Sequence, residues 1–297
     1  MSYEWQVEPS GGVVLVTGAA GNVGREVVRA LGARNIRARA ADRHPERARA
    51  LFGADVEAVR LDYRDRTTFA AVDGARAVFL LRPPAIADVE QTLVPFIDEA
   101  WRRGVAHVVF LSVAGADKNF LVPHHAVERH LASSSGGWTV LRPGFFAQNL
   151  GDAYRRDIVE DGRIYLPAGR GRAAFVDVRD VAEVAAAIFA APAEHDRCAY
   201  TLTGGEAIDF ATAARHLTDA LRRPIRYQPA SVVGYVRHLR GRGLPWSQVG
   251  VQTLLHVGLR FGQAERVDPT LERLLGRLPR TVREYVQDHR STWERSG

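Results

Sequence analysis

The sequence predicts an α/β protein built on a doubly wound, mostly parallel β-sheet. Apolar runs alternate with amphipathic helical patterns along the first two thirds of the chain, and each interval is long enough for a crossover helix. The chain has 297 residues, of which 46% are hydrophobic, so it can bury a core on both faces of such a sheet. The predicted strands are residues 13–17, 36–41, 56–61, 77–81, 107–112 and 138–142. The predicted helices between them are residues 22–32, 45–52, 66–72, 86–103 and 123–133.

One more helix and strand follow, and then the chain changes character. An apolar stripe predicts a helix over residues 178–190, and residues 200–203 predict another strand. The remainder combines short helices with arginine, proline and aromatic residues, which indicates a smaller substrate-binding lobe over the carboxyl edge of the sheet. The expected divisions are an N-terminal extension (1–12), the sheet domain (13–205, with 144–175 partly in the lobe) and a mixed α/β C-terminal lobe (206–297).

The composition excludes several classes of protein. The net charge is +6, but the charges are interspersed, so we expect no nucleic-acid partner. No apolar run approaches the roughly 20 residues that span a membrane, and the first residues do not resemble a secretory signal. The single cysteine, Cys198, cannot form an internal disulfide. We therefore expect a cytoplasmic protein without a membrane partner or a metal site.

A glycine pattern lies between the first predicted strand and the first predicted helix. Gly18 and Gly21 permit a tight turn and close approach of a ligand, and Gly24 lets the helix pack onto the strand. The helix N-terminus then offers N–H groups and a positive dipole end to phosphate. The pattern predicts a dinucleotide pyrophosphate site. Its residues are Gly18, Ala20, Gly21, Asn22 and Val23.

The identity of the dinucleotide depends on Asp42 and Arg43, which end the second predicted strand. An acid at this position accepts hydrogen bonds from the adenosine ribose hydroxyls, which favours NAD. An arginine at this position pairs with a 2′-phosphate, which favours NADP. Because the two residues are adjacent, the expected cofactor is NADP or NAD.

Further candidate residues follow the other predicted strands. Asp62 can meet the adenine amino group or cap its own loop, and Arg82 can flank the nicotinamide ribose or form a structural ion pair. Ser112 can hydrogen-bond a substrate oxygen or satisfy local backbone. The cofactor-binding candidates at these strand ends are Asp62, Tyr63, Leu81, Arg82, Pro83 and Ser112.

Several segments resemble the NmrA-like group of atypical short-chain dehydrogenases/reductases, and the resemblance spans roughly residues 13–290. It implies a Rossmann fold that binds NAD(P), with Arg43 at a position that often holds the 2′-phosphate. Asp42 departs from that pattern, because those members usually have an apolar residue there. The matching segments are V-T-G-A-A-G-N-V-G (16–24), A-R-A-A-D-R-H-P (38–45), L-L-R-P-P (80–84), W-T-V-L-R-P-G-F-F-A-Q-N (138–149), F-V-D-V-R-D-V-A (175–182) and Y-T-L-T-G-G-E (200–206).

A second departure concerns proton transfer. Typical members of the superfamily use a Tyr-x-x-x-Lys pair, whose two positions fall here on Phe120 and His124. His124 could titrate near neutral pH and donate a proton, or it could hydrogen-bond the nicotinamide ribose, with His125 as a rival. The predicted catalytic residues are His124 and Ser112, with His124, Pro143 and Phe145 also expected beside the cofactor.

The sequence therefore predicts an NAD(P)H-dependent oxidoreductase that transfers hydride to a small apolar or cationic acceptor, such as a quinone or an imine, without a Tyr-Lys relay. The alternative is a non-catalytic redox sensor that binds the dinucleotide and a partner protein. A biosynthetic isomerase or cyclase is a third option, which no residue selects. In the lobe, Trp246 and Tyr235 suit either stacking on substrate or core packing. A small-molecule substrate is expected, with a homodimer as one option for assembly.

Overall fold

The computed structural model describes residues 12–294, which form two compact units. Among the described residues, the first unit comprises residues 12–143 and 178–202, and the second comprises residues 144–177 and 203–294. Residues 1–11 of the expected N-terminal extension lie outside the described residues.

The secondary-structure elements are numbered in chain order. The strands are β1 (Val13–Thr17), β2 (Ala38–Asp42), β3 (Glu57–Arg60), β4 (Ala75–Leu81), β5 (His107–Leu111), β6 (Gly137–Pro143), β7 (Phe145–Phe146), β8 (Arg163–Leu166), β9 (Arg172–Ala173), β10 (Phe175–Val176), β11 (Cys198–Leu202), β12 (Ile208–Asp209) and β13 (Arg226–Pro229). The helices are α1 (Asn22–Ala33), α2 (Pro45–Phe52), α3 (Leu93–Arg102), α4 (Pro123–Ser133), α5 (Val178–Ala190), α6 (Phe210–Leu221), α7 (Val232–Gly241), α8 (Trp246–Leu259), α9 (Thr270–Leu275) and α10 (Val282–Asp288). Short 3₁₀ helices cover Arg66–Val72, Ala147–Leu150, Pro192–His195 and Arg290–Trp293, and a π-helical turn covers Asp157–Asp161.

The first unit is a doubly wound, seven-stranded parallel sheet, as the sequence predicts. The strand order is β11-β6-β5-β4-β1-β2-β3. β1 pairs with β2 on one side and with β4 on the other, so the winding reverses between β1 and β4. Ligands of such sheets bind at the carboxyl ends of the strands beside this reversal. Every residue of the interior strand β5 is buried, as expected when helices cover both faces.

One predicted helix is shorter than the sequence suggests. The pattern over residues 86–103 predicts a single helix, whereas α3 begins at Leu93. The Arg82 guanidinium donates hydrogen bonds to the carbonyl oxygens of Pro83 and Ile86, at 3.1 and 2.5 Å. These bonds to a side chain and the two prolines that follow Arg82 stabilise a non-helical loop before α3.

The second unit has its own core and much smaller sheets. β8 pairs with β13, β7 with β10, and β9 with β12, and only the last pair is antiparallel. The buried side chains of Phe210, Ile158 and Trp293 belong to one apolar cluster. Along residues 12–294, no helix is both long and apolar enough to cross a membrane.

Candidate functional site

The turn after β1 forces its glycines close to neighbouring atoms. Gly18 has a φ of +60°, and a Cβ at this position would lie 2.0 Å from Leu81 Cδ2. A Cβ at Gly24 would lie 2.2 Å from the carbonyl oxygen of Gly18. The N–H of Gly21 donates a hydrogen bond to that same oxygen at 2.9 Å. The turn therefore folds tightly against the first turn of α1, and a side chain at Gly24 would force it open. A side chain at Gly18 would strain the left-handed backbone and displace the Leu81 side chain.

The N-terminus of α1 presents the positive end of the helix dipole at the glycine turn. Gly21 occupies the N-cap position, where it contributes no capping side chain, and the first turn contains no acidic residue. The hydroxyl of Thr17 accepts a hydrogen bond from the N–H of Leu81 at 2.9 Å, which ties the ends of β1 and β4 together. A helix N-terminus of this kind, at the reversal point of a parallel sheet, is suited to bind phosphate.

Asp42 and Arg43 lie at the end of β2 and differ in their environments. Asp42 is half-buried, and its Oδ1 accepts a hydrogen bond from the N–H of His44 at 3.0 Å. Arg43 is exposed, and its guanidinium has no hydrogen bond or ion pair with the residues that the structure describes. Each side chain therefore keeps hydrogen-bonding capacity for the adenosine end of a dinucleotide.

The two predicted residues after β3, Asp62 and Tyr63, have different environments. Asp62 is half-buried, and its Oδ1 accepts a hydrogen bond from the N–H of Arg64 at 3.0 Å, which is the loop-capping alternative. Tyr63 is buried, packs edge-on against Phe96, and donates its hydroxyl to the carbonyl oxygen of Leu81 at 3.2 Å. Burial raises the pKa of Tyr63 above its ordinary value. Its side chain therefore belongs to the core, which leaves its backbone as the part that could meet a cofactor.

Arg82 holds the loop after β4 and also contacts His124. Its Nη1 donates to the carbonyl oxygens of Pro83, Pro84 and Ile86, and its Nε donates to His124 Nε2 at 3.2 Å. Its partners are therefore carbonyl oxygens and an imidazole rather than the carboxylate of a structural ion pair. This contact brings together two residues that the sequence places in the site.

His124 is buried in the first turn of α4 and is neutral near pH 7. Burial and the neighbouring Arg82 cation lower the pKa of His124 to about 4. The prediction that it titrates near neutral pH is therefore wrong, because the sequence could not reveal either effect. Since Nε2 accepts from Arg82, the neutral ring carries its proton on Nδ1. Nδ1 has no hydrogen-bond partner among residues 12–294, which makes it a donor available to a ligand.

The neighbours of His124 are placed differently. His125 Nδ1 lies 2.8 Å from the carbonyl oxygen of Ala116, so it holds the loop between β5 and α4. Phe120 is 78% exposed and precedes α4, which begins at Pro123. The superfamily positions of tyrosine and lysine are therefore not on one helical face in this chain.

Ser112 belongs to a buried polar network that the sequence did not indicate. Its hydroxyl donates to Glu128 Oε1, and Glu128 pairs with Arg142 at 2.6 Å. Arg142 also lies 3.6 Å from Asp117, in the loop between β5 and α4. The usable sequence signals were the placement of Glu128 four residues after His124 and that of Arg142 at a predicted strand end.

The remaining predicted residues lie in different units. Pro143 ends β6 in the first unit, and its carbonyl oxygen accepts a hydrogen bond from the N–H of Ala114 at 2.9 Å. Phe145 lies in the second unit and packs edge-on against Phe175, with the ring centroids 5.3 Å apart.

Of the two stacking candidates in the second unit, only one is exposed. Trp246 is 66% exposed, with the Arg240 guanidinium 4.7 Å from its ring centroid. Tyr235 is buried, and its hydroxyl lies 3.1 Å from Nδ1 of the buried His256. Tyr235 therefore takes the core-packing alternative.

A family model described as NAD(P)H-binding matches residues 18–192, which is more than half of the chain. The chain belongs to this NAD(P)H-binding family. It is 32% identical to an NAD(P)H azoreductase of Xenophilus azovorans over 93% of this chain and 98% of that protein. It is 29% identical to an agroclavine dehydrogenase of Claviceps fusiformis over 78% of this chain and 83% of that protein.

Solved structures of similar fold also bind NADP(H). An NADPH-dependent quinone oxidoreductase of Escherichia coli, complexed with NADPH, has a TM-score of 0.80 and 26% identity, covering 93% of this chain and 99% of that chain. The triphenylmethane reductase of Citrobacter sp. has a TM-score of 0.81 and 22% identity over 93% of this chain and 99% of that chain, a likeness that concerns the fold. The resemblance to NmrA-like atypical short-chain dehydrogenases/reductases is confirmed, as are the oxidoreductase class and a nicotinamide dinucleotide cofactor.

The residues of this NAD(P)H-binding protein fit the cofactor at two places. The glycine turn packs so tightly that no side chain fits at Gly24, and it places the N-terminus of α1, which has no side-chain cap from Gly21 and no acid in its first turn, at the end of β1. The unpartnered Nδ1–H of His124 is a buried donor, and leaving it unsatisfied would cost about 1–3 kcal/mol. A phosphate group at the helix N-terminus and a hydroxyl group beside His124 Nδ1 would accept hydrogen bonds from these donors.

Proposed function

We propose that this protein is a reductase that transfers hydride from NAD(P)H to a small organic acceptor without a tyrosine–lysine proton relay. The observation that carries the proposal is the state of His124, which occupies the position of the usual lysine. Its pKa of about 4 keeps the imidazole neutral near pH 7, so it donates a hydrogen bond through Nδ1–H but has no acidic imidazolium proton to transfer. Phe120, at the tyrosine position, has no acidic hydroxyl.

The acceptors that suit such a site need little proton assistance. An iminium ion accepts hydride at carbon, and the product is a neutral amine. A quinone that accepts hydride places the new negative charge on its oxygens, which stabilise it. An azo group can take hydride on one nitrogen and a proton from water on the other. The 32% identity to an azoreductase and the structural likeness to a quinone oxidoreductase support aromatic acceptors of these kinds.

Each end of the proposed cofactor site has an assigned role. Gly18, Gly21 and the N-terminus of α1 hold the pyrophosphate, and Asp42 and Arg43 meet the adenosine ribose. When bound, the reduced nicotinamide supplies the hydride.

At the nicotinamide end, His124 donates its Nδ1–H to a hydroxyl of the nicotinamide ribose. Arg82 fixes the tautomer with the proton on Nδ1, because it donates a hydrogen bond to Nε2. Ser112, whose hydroxyl proton is donated to Glu128, acts on the site through the network rather than on the acceptor. The reaction then depends mainly on holding donor and acceptor carbons together.

The test compares His124→Phe with the matched variant His125→Phe. We expect the wild-type protein to oxidise NAD(P)H with a quinone or an aromatic azo compound. His124→Phe should lower kcat/KM about 10- to 100-fold by removing one donor to the cofactor, and His125→Phe should act mainly on stability. Cofactor binding without turnover of a quinone, azo or iminium acceptor would overturn the proposal and favour the non-catalytic sensor.

We assign substrate binding to the second unit, and we propose a cytoplasmic protein, which the single cysteine supports. A homodimer is supported by α8, which has no charged residue and exposes Val251, Leu254 and Leu255. Light scattering after size exclusion would give a monomer mass if that assembly is wrong.

A further inference from the structure

Glu128 is a buried carboxylate with a full set of partners. It lies on α4, one helical turn after His124, and the residue is 7% exposed. Ser112 donates its hydroxyl to Oε1. Arg142 donates from Nε to both carboxylate oxygens, at 3.1 and 3.2 Å, and from Nη2 to Oε2 at 2.6 Å. The carboxylate therefore accepts a forked guanidinium and a hydroxyl at once, the geometry of a strong, directional contact.

The network joins three segments at the carboxyl edge of the sheet in the first unit: the loop after β5, helix α4 and the end of β6. Ser112 follows β5, Glu128 lies on α4, and Arg142 is the residue before the last position of β6. Asp117, 3.6 Å from Arg142, lies in the loop between β5 and α4. The backbone supports the same junction, because Ser112 N–H donates to the carbonyl oxygen of Leu141 at 2.8 Å. The pair therefore holds α4 in a fixed orientation relative to β5 and β6.

Stability alone does not explain an ion pair between a buried carboxylate and a half-buried guanidinium. Removing two charges from water costs several kcal/mol per ion, and well-packed apolar replacements of such pairs are often neutral or stabilising. The pair does supply geometric precision, because a fork on a carboxylate resists rotation and sliding. The helix that the Glu128–Arg142 pair orients is α4, which carries His124, and the His124 ring accepts a hydrogen bond from Arg82.

We propose that Glu128 is a positioning residue for the cofactor site: by fixing α4 to β5 and β6, it aims the Nδ1–H of His124 at the nicotinamide half of the dinucleotide. The inference rests on the proposed function for the role of His124. Arg142 is its essential partner, and Ser112 supplies the third contact. Asp117 is peripheral, since it is more exposed and farther from the guanidinium.

The experiment is a double-mutant cycle of Glu128→Gln and His124→Ala. Affinity for NADPH is measured by titration, affinity for adenosine 2′,5′-bisphosphate reports the adenosine end alone, and single-turnover rates are measured with a quinone. Glu128→Gln should slow hydride transfer about 10- to 100-fold and weaken NADPH, while the fragment binds within about twofold of wild type. Because Glu128 acts through His124, the double variant should be little worse than His124→Ala alone.

Further variants separate positioning from folding. Glu128→Leu/Arg142→Met leaves no buried charge and should keep a normal melting temperature, yet bind NADPH as weakly as Glu128→Gln. Asp117→Asn is the matched surface control and should behave as wild type. Wild-type affinity and rate in Glu128→Gln, or effects that multiply in the double variant, would overturn the positioning role. If the wild type reduces none of the acceptors, the proposed function fails. The double-mutant cycle, measured through NADPH affinity alone, still decides the role of Glu128.

Discussion

Gly24→Ala is the substitution that most directly perturbs the glycine turn between β1 and α1, where we propose that the dinucleotide binds. The new Cβ would lie 2.2 Å from the carbonyl oxygen of Gly18, 2.7 Å from its carbonyl carbon and 2.8 Å from Ala19 Cα. All three atoms are backbone, so no side chain can rotate away. Contacts below 3.0 Å are essentially never formed by real Cβ atoms, so the N-terminus of α1 must move by roughly 1 Å away from the turn.

The magnitude follows from the hydrogen bonds that this shift breaks. A hydrogen bond from the helix N-terminus to phosphate is charge-assisted and contributes about 1.5–3 kcal/mol. Losing two of them corresponds to about 3–6 kcal/mol, or at least a 100-fold weaker complex. Overpacking itself should lower the free energy of unfolding by about 1–3 kcal/mol. Calorimetric titration with NADPH and urea unfolding measure the two effects separately.

Gly32→Ala provides the matched control on the same helix. A Cβ at Gly32 meets no atom within 4 Å, so alanine should leave NADPH affinity unchanged and stabilise α1 by about 0.5–1 kcal/mol. The reasoning is refuted if folded Gly24→Ala binds NADPH within threefold of wild type, or if Gly32→Ala weakens binding equally.

Three further predictions follow from individual side chains. Burial lowers the pKa of His107, His124 and His256 to about 4, below the ordinary 6.5, so stability is full above pH 6.5 and is lost as the pH falls toward 4. Urea unfolding should show a loss of about 1.4 kcal/mol per pH unit for each histidine involved, and a flat profile over this range would contradict the burial argument. The double variant Phe120→Tyr/His124→Lys should not reduce simple ketones, because residue 120 is 78% exposed and precedes α4; efficient ketone turnover would show that the relay geometry is intact. Arg43→Ala should weaken NADPH about 10- to 100-fold and spare NADH, and equal loss for both cofactors would exclude a 2′-phosphate contact.

Much of the fold could be predicted because local sequence and global structure agree. The apolar run of β5 is buried at every position, and the glycine turn fixes where β1 ends and α1 begins. The start of α3 could not be predicted, because it depends on Arg82 binding the carbonyl oxygens of its own loop. That contact involves side-chain geometry, which no periodicity reveals.

The roles of the site residues likewise depend either on local sequence, which can be read directly, or on tertiary contacts, which cannot. The roles of Gly18 and Gly24 follow from the absence of a side chain, which the sequence states directly. The pKa of His124 depends on burial and on Arg82, which lies 42 positions away along the chain. The pairing of Glu128 with Arg142 joins a helix to a strand, so it becomes visible only once the sheet is assembled. Isotope effects on the hydride step can test whether the resulting site lacks a proton relay.

Single-turnover oxidation of NADPH and of its form dideuterated at C4, by a quinone in H₂O and in D₂O, tests the central claim most directly. Hydride transfer without a proton relay predicts a slower rate with the deuterated cofactor and the same rate in D₂O, since neutral His124 transfers no proton. A rate that falls in D₂O as well would place proton transfer in the same step and contradict the account, as would a bound cofactor that is never oxidised.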